Sequence, residues 1–256
     1  MKITVNVPSC RRPKVETLKY IPFARVYVDH KEYDDYSREN PGAEIIPCEE
    51  GIQGNLCRIR NHIIRTEFEA GVECVIIVDD DLQHLARFSD KVKRIYKPEE
   101  IMPLFQKCAI LALDMGVFFW GVNCNKDPQS YREYTPFSTV SYIGGPFQAF
   151  MQGNTLFYDE RLSLKEDYDM TLQQLNRYRC VLRFNYLSYT VRQSEQPGGC
   201  AVYRNYEEEE RQLNLLVKKW GPDIVKKDKA DRSHKSKKRR KRLDYNPVIR
   251  VPILGV

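Results

Sequence analysis

The chain has 256 residues, 42% hydrophobic, 30% charged and 11% aromatic, with 13 Gly, 14 Pro and a formal net charge of +6. That length is ample for a sizeable core in one large domain, and ordinary Gly and Pro usage excludes collagen-like and low-complexity classes. No apolar run approaches the ~18 residues of a membrane-crossing helix. The eight cysteines form no CxxC pair, which argues against a disulfide framework or a structural zinc and for a reducing cytoplasm.

The chain opens on Ile3-Thr4-Val5-Asn6-Val7, a strand pattern rather than a secretory apolar region, broken by Pro8-Ser9-Cys10-Arg11-Arg12-Pro13. Residues 25–28 read as a second strand and 44–47 as a short third, after a polar stretch carrying the turn Asn40-Pro41-Gly42. Between residues 55 and 70, Leu56, Ile59, Ile63, Ile64 and Phe68 recur at helical spacing, with Gly71 where a stop belongs. Cys74-Val75-Ile76-Ile77-Val78 is continuously apolar, as a central parallel strand buried on both faces requires. It ends in Asp79-Asp80-Asp81.

Residues 99–116 predict a helix, 117–122 a strand, and 123–140 a polar, aromatic-laced loop. Gly144-Gly145-Pro146-Phe147 returns toward the sheet; residues 166–178 predict a helix, 181–184 a strand and 206–220 an amphipathic helix. Charge then becomes uneven. Residues 218–242 hold thirteen Lys and Arg against three Asp, a net of +10, which leaves −4 for the rest. Such a block raises the expectation of a polyanionic partner, nucleic acid first. Residues 248–254 form a possible closing edge strand, within the chain or with a second copy. Strands alternating with helices indicate an α/β fold with a mostly parallel central sheet flanked by helices. The expected organisation is a single domain over residues 1–222, followed by a basic C-terminal arm and closing strand over 223–256.

Open α/β sheets bind ligands at the carboxyl ends of their strands. Asp79 and Asp81, as alternate residues, can face one site while Asp80 faces elsewhere. Two carboxylates there suit Mg²⁺ or Mn²⁺ bridging a diphosphate, whereas a helix cap explains only one Asp of the three. Glu166-Asp167 opens a helix, where the dipole alone favours acids and a catalytic base looks the same. Arg60-Asn61 on the preceding helix is a weak signal by itself. The loop 8–13 offers free backbone N–H groups and Arg side chains to an anionic nucleotide. Neither a GxxxxGK[ST] nor a GxGxxG motif is present.

Taken in order, Gly51, Arg60-Asn61, Ala70-Gly71 and Val75-Ile76-Ile77-Val78-Asp79-Asp80-Asp81 resemble the nucleotide half of GT-A-fold glycosyltransferases. Gly144-Gly145-Pro146-Phe147, Asp159-Glu160 and Glu166-Asp167 resemble the acceptor half, so the resemblance spans about residues 1–190. The opening Val7-Pro8-Ser9 with Arg12-Pro13, the compact size and Lys219-Trp220-Gly221 look most like the phage-type, TET-associated branch. Members of that branch glycosylate hydroxymethylated pyrimidines in DNA.

The resemblance implies a nucleotide-sugar donor, UDP-linked, and a cytoplasmic enzyme without a membrane partner, in the host cytoplasm if phage-encoded. It implies that Pro8, Ser9 and Arg12 touch the nucleotide with Arg60 supporting it, and that Asp79, Asp80, Gly144 and Gly145 belong to the donor site. Asp81, with Asp79, would hold the metal. Asp167 would be the general base of an inverting reaction and Glu166 would position the acceptor; retention stays open. Tyr131, Tyr134 and Phe137 would cover an extruded base, and Lys237, Lys238, Arg239 and Arg240 would track DNA phosphates. One departure stands out. Many GT-A enzymes carry a histidine ligand after the next strand, where Thr190-Val191-Arg192-Gln193 has none. The metal is then held by Asp81, diphosphate and water, or Arg192 or the basic arm neutralises the diphosphate. Rival readings are a transferase on a protein or glycan, a non-catalytic nucleic-acid-binding protein of this fold, and a nucleotidyltransferase.

Overall fold

The computed structural model describes residues 1–89, 91–192, 198–227 and 246–251. The strands of the main sheet are β1 (Ile3–Pro8), β2 (Arg25–Asp29), β3 (Glu44–Cys48), β4 (Cys74–Val78), β5 (Leu82–Ser89), β6 (Val92–Ile95), β7 (Phe119–Asn123), β8 (Phe137–Ser138), β9 (Phe147–Met151) and β10 (Leu182–Val191). The helices are α1 (Tyr33–Glu39), α2 (Leu56–Glu69), α3 (Pro98–Asp114), α4 (Glu166–Tyr178) and α5 (Tyr206–Trp220). The order across the sheet is β3-β2-β1-β4-β9-β7-β10-β5-β6, with β8 paired to β10. Most strands run one way; β9, β5 and β8 run against them.

Why these segments take these roles follows from their patterning. All five residues of β4 are buried, and alternate ones serve opposite layers. Cys74, Ile76 and Val78 join Val5, Val26, Phe105, Trp120 and Phe147 on the face covered by α3. Val75 and Ile77 join Ile59, Ile63, Phe150, Met170 and Leu175 on the face covered by α2 and α4. Each fully buried Val or Ile contributes roughly 1.5–3 kcal/mol, so an uninterrupted apolar run belongs at the sheet centre. Pro47 is tolerated in β3 because that strand is at the edge. Asn55 caps α2, its side chain accepting from the N–H groups of Cys57 and Arg58. A third, smaller cluster of Leu162, Leu172, Leu213, Leu216 and Val225 seats α5 against α4.

Three features differ from the sequence expectation. The chain leaves the acidic turn directly into the β5–β6 hairpin, which its short, mixed polar pattern did not signal. The strand expected over 181–184 runs from Leu182 to Val191, because β10 serves β7, β8 and β5 in succession and bulges between Phe184 and Ser188. Of the strand expected over 248–254, residues 252–254 lie outside the described residues; β12 (Pro247–Ile249) pairs antiparallel with β11 (Val225–Lys227), within the chain and apart from the main sheet. Lys237, Lys238, Arg239 and Arg240 lie outside the described residues. Among the described residues no helix is long and apolar enough to cross a membrane.

The topology places a switch point between β1 and β4. From β1 the chain proceeds outward to β2 and β3, then returns to pair β4 on the other side of β1. The loops that leave the carboxyl ends of β1 and β4 therefore diverge and open a crevice, the usual ligand position in such sheets.

Candidate active site

The three aspartates at the end of β4 meet three different environments. Asp80 is buried and clasped: the Ser9 hydroxyl donates to its Oδ2 at 2.6 Å and Arg12 Nη1 to its Oδ1 at 3.0 Å. Asp79 accepts from Arg60 Nη2 at 2.9 Å. Asp81 has no ion-pair partner among the described residues. Its carboxyl is pushed up from 3.8 to about 7, first by burial and then by the charges of Asp79 and Asp80, with Arg12 opposing. The backbone of the turn is pinned from several sides. Thr17 Oγ1 donates to the Asp79 carbonyl at 2.6 Å, the Asp79 N–H donates to the Pro146 carbonyl at 3.2 Å, and the Arg192 N–H donates to the Asp81 carbonyl at 3.0 Å.

Arg60 ties this turn to the rest of the site. Its side chain is only 1% exposed, and its guanidinium reaches four groups. Nη2 donates to Asp79 and, at 3.0 Å, to the Gly145 carbonyl; Nη1 donates to Gln148 Oε1 and Glu166 Oε1, both at 3.2 Å. Burial opposes its charge, but Tyr158, Asp79 and Glu166 outweigh that and raise its pKa. Such a fork satisfies several acceptors at once, as no lysine can. Arg60 thus lies beneath the site and acts through Asp79, Gly145 and Glu166.

Glu166 and Asp167 open α4 with different surroundings. Glu166 is buried, and its carboxyl is raised by that burial and by the neighbouring Asp167 charge, with Arg60 opposing. Asp167 is half-buried; its Oδ2 accepts from the Gly145 N–H at 3.1 Å and from the Tyr142 hydroxyl, and its Oδ1 from the Tyr168 N–H at 2.8 Å. The diglycine brings this loop close. A Cβ on Gly145 would stand 3.2 Å from Glu166 Oε1 and 3.3 Å from Asp167 Oδ2, and one on Gly144 would meet Cys124 Sγ and the Tyr189 hydroxyl at 2.6 Å.

The loop after β1 is more committed than its sequence suggests. The N–H groups of Ser9, Arg11 and Arg12 are taken by the Tyr27 carbonyl, Glu32 Oε2 and the Tyr36 hydroxyl, at 3.0, 2.9 and 3.0 Å. The expectation of free N–H groups is therefore corrected for these three, which neighbouring elements satisfy. Pro8 ends β1, buried. Arg12 is further held by the Gly198 carbonyl at 3.0 Å. Gly198, at φ +94°, stands where a Cβ would be 2.9 Å from the Cys10 and Arg11 carbonyls, so glycine alone fits.

Of the three expected base-covering rings, Tyr131 packs on Phe88 and Phe137 on Phe184 and Tyr186; Tyr134 is 82% exposed. Sequence reading missed Thr17, Tyr36, Tyr142 and Gln148, which lie in stretches without a motif. The Gly198-Gly199 pair was a legible turn signal.

The donor set fits a hard divalent cation. Asp79 and Asp81 offer two carboxylates close enough to raise the Asp81 pKa, and Asp81 forms no ion pair among the described residues, so a cation there would relieve the repulsion. Among the described residues no group of three or more His, Cys, Asp or Glu is arranged to hold a metal. Mg²⁺ sites commonly use one or two carboxylates, with phosphate and water completing the shell.

A family model described as TET-Associated Glycosyltransferase matches residues 22–199. No curated protein matches the chain. Among solved structures, the chain is similar to glucosyl-3-phosphoglycerate synthase from Mycobacterium tuberculosis in complex with Mn²⁺, uridine-diphosphate-glucose and phosphoglyceric acid. The two share 11% identity and a TM-score of 0.52, over 90% of this chain and 84% of that one. The same synthase with Mn²⁺, uridine diphosphate and phosphoglyceric acid gives 12% identity and a TM-score of 0.51, over 89% and 82%. At such identity the likeness shows the fold alone, a GT-A-like α/β domain.

Proposed function

The chain belongs to the TET-associated glycosyltransferase family, and from that membership we propose that it moves a sugar from a UDP-linked donor to the hydroxyl of a hydroxymethylated pyrimidine in DNA, with Mg²⁺ or Mn²⁺. The observation that carries this reading is the Arg60 fork. It holds Asp79 and the Gly145 carbonyl, both read as donor side, and Glu166, read as acceptor side, on one buried cation, which supports a single crevice for both substrates. A binding module has no use for carboxylates gathered in this way, since they repel phosphate.

In this reading Asp81 and Asp79 hold the divalent cation, which when bound supplies Lewis-acid stabilisation to the departing diphosphate. Arg60 fixes the Asp79 carboxylate, and Asp80, through Ser9 and Arg12, locks the β1 loop that faces the nucleotide. Gly144 and Gly145 let the donor loop approach α4. Asp167 takes the proton of the acceptor hydroxyl as its oxygen bonds to the anomeric carbon and the bond to diphosphate breaks. Tyr142 and the Gly145 N–H aim that carboxylate, while Glu166 orients the acceptor. The basic arm, with Lys237, Lys238, Arg239 and Arg240, neutralises DNA backbone.

The test offers a panel of nucleotide sugars with hydroxymethylcytosine DNA, hydroxymethyluracil DNA and unmodified DNA, and reads the released nucleosides by mass spectrometry. A hexose-sized mass gain on one hydroxymethylated base is expected. Transfer to a protein or glycan fraction, with none to DNA, would replace the acceptor.

A further inference from the structure

Beside the acidic turn lies a cleft of about 520 Å³, lined by Cys124, Asn125 and Lys126 after β7 and by Tyr189, Thr190 and Val191 of β10. Strand pairing determines what surrounds it. β10 sets Thr190 opposite His84 and Val191 opposite Leu82, the residue after Asp81. β6 pairs with β5 in turn, and Lys93 Nζ donates to Thr190 Oγ1 at 3.4 Å. Lys126 is exposed, while Lys93 and His84 are half-buried.

Among the described residues neither lysine has a carboxylate partner. The two ammonium groups and the imidazole instead feel one another. Burial, then the Lys126 charge, lowers the pKa of Lys93. Burial, then Lys93 and Lys126, lowers that of His84, whose Nε2 is buried without a hydrogen-bond partner. Like charges brought together without a counter-ion are an unrelieved cost, and an anion relieves it.

Two observations identify the side of the site this cleft serves. Tyr189 and Cys124 pack against Gly144, next to the Gly145 N–H that holds Asp167, so the cleft shares a wall with the candidate base. The Cys124–Lys126 segment also runs on into the loop bearing Tyr134, the most exposed of the three expected stacking rings. The donor's clasp of Ser9, Arg12 and Asp80 lies on the β1 side of the turn instead.

We propose that this cleft is a phosphate subsite for the acceptor strand, in which Lys93 and Lys126, with Thr190 between them, hold a DNA phosphodiester next to the reacting nucleotide. The inference rests on the DNA-acceptor reading above and assigns it residues that no motif marked. Anchoring backbone here fixes the extruded nucleotide against Asp167, since phosphate contacts position while base contacts specify.

The experiment compares wild type with the double variant Lys93→Gln/Lys126→Gln on a duplex carrying hydroxymethylated pyrimidine, over a salt series. The expected result is about tenfold weaker DNA binding and a higher KM for DNA. The log–log salt plot should flatten by ~0.9 for each phosphate no longer neutralised. UDP affinity, measured without DNA, should be unchanged, and Lys93→Arg/Lys126→Arg should retain DNA binding, which separates lost charge from lost fold. Unchanged DNA affinity and slope in a wild type that modifies DNA overturns the subsite alone. Weakened UDP binding with intact DNA binding assigns the cleft to the donor diphosphate and likewise overturns it. A wild type that neither binds nor modifies DNA fails at the acceptor reading, and the subsite falls with it.

Discussion

The β1–β4 side of the site and the β10–β5 side belong to one sheet but handle charge in opposite ways. On the first, carboxylates are met by guanidinium groups: buried Asp80 by Arg12, half-buried Asp79 and buried Glu166 by Arg60. On the second, Lys93, Lys126 and His84 stand together without a carboxylate partner among the described residues. Asp81 forms no ion pair among the described residues, and burial with the charges of Asp79 and Asp80 outweighs Arg12 at its carboxyl. The β1–β4 side thus carries its counter-charges within the protein, so its carboxylates are held without a ligand, the kind of arrangement that serves electrostatic catalysis. The β10–β5 side has cations without such partners, and under the subsite proposal an acceptor phosphate would supply them.

The comparison breaks most visibly at Arg60. Arg60→Met should cost about 3–5 kcal/mol of folding stability, because it strands the buried Glu166 and leaves the half-buried Asp79 without its cation. Urea unfolding measures this. A loss below about 1 kcal/mol would mean that the guanidinium is not what organises the donor side. Asp167→Asn should follow, lowering single-turnover transfer by about 10²–10⁴-fold while UDP affinity stays close to wild type. If instead the variant lost UDP binding with its chemical step intact, Asp167 would belong to the donor side.

Next in size is the basic arm, the second cationic feature of the sequence. Neutralising Lys237, Lys238, Arg239 and Arg240 together should weaken binding to all DNA sequences alike. It should also flatten the salt dependence by ~0.9 for each duplex phosphate left without its cation. Weakened nucleotide binding with an unaltered salt slope would move the arm to the diphosphate.

The smallest effect concerns Asp81. Its carboxyl binds a proton more tightly in the folded protein than its ordinary value of 3.8 allows, up to about 7. Between those values the metal-free folded state holds more protons than the unfolded one, so stability falls as pH rises through that window and levels off above it. Asp81→Asn should remove this slope, and Mn²⁺ should raise the wild-type Tm but not the variant's. Differential scanning calorimetry across pH 4 to 8, with and without Mn²⁺, reads both. A flat wild-type profile would mean that the Asp81 charge is already answered.

Much of the chain was legible because its signals are local. The helix expected over 166–178 is α4 and that over 206–220 is α5, both carrying acidic first turns and an apolar stripe. The run Cys74–Val78 is the buried central strand, and the ordered motifs indicated the GT-A-like fold. Other features had no local sign. The β5–β6 hairpin reads as mixed polar sequence because one of its strands is mostly exposed.

The amino-acid order alone therefore determined the α/β alternation, the acidic turn at a strand's carboxyl end and the acids opening α4, since periodicity, capping and apolar runs act over a few neighbouring residues. Only the tertiary structure decided how three consecutive aspartates divide: one clasped, one braced and one with no ion pair among the described residues. It also turned Arg60, an arginine that helical sequence would leave facing water, into the buried join of two half-sites 106 residues apart. And it brought residues 126 and 190 to one cleft, with His84 and Lys93 set against Thr190 beside it. Burial and electrostatic pairing depend on which distant segments the sheet order sets side by side, and that order is a property of the whole chain rather than of any window within it.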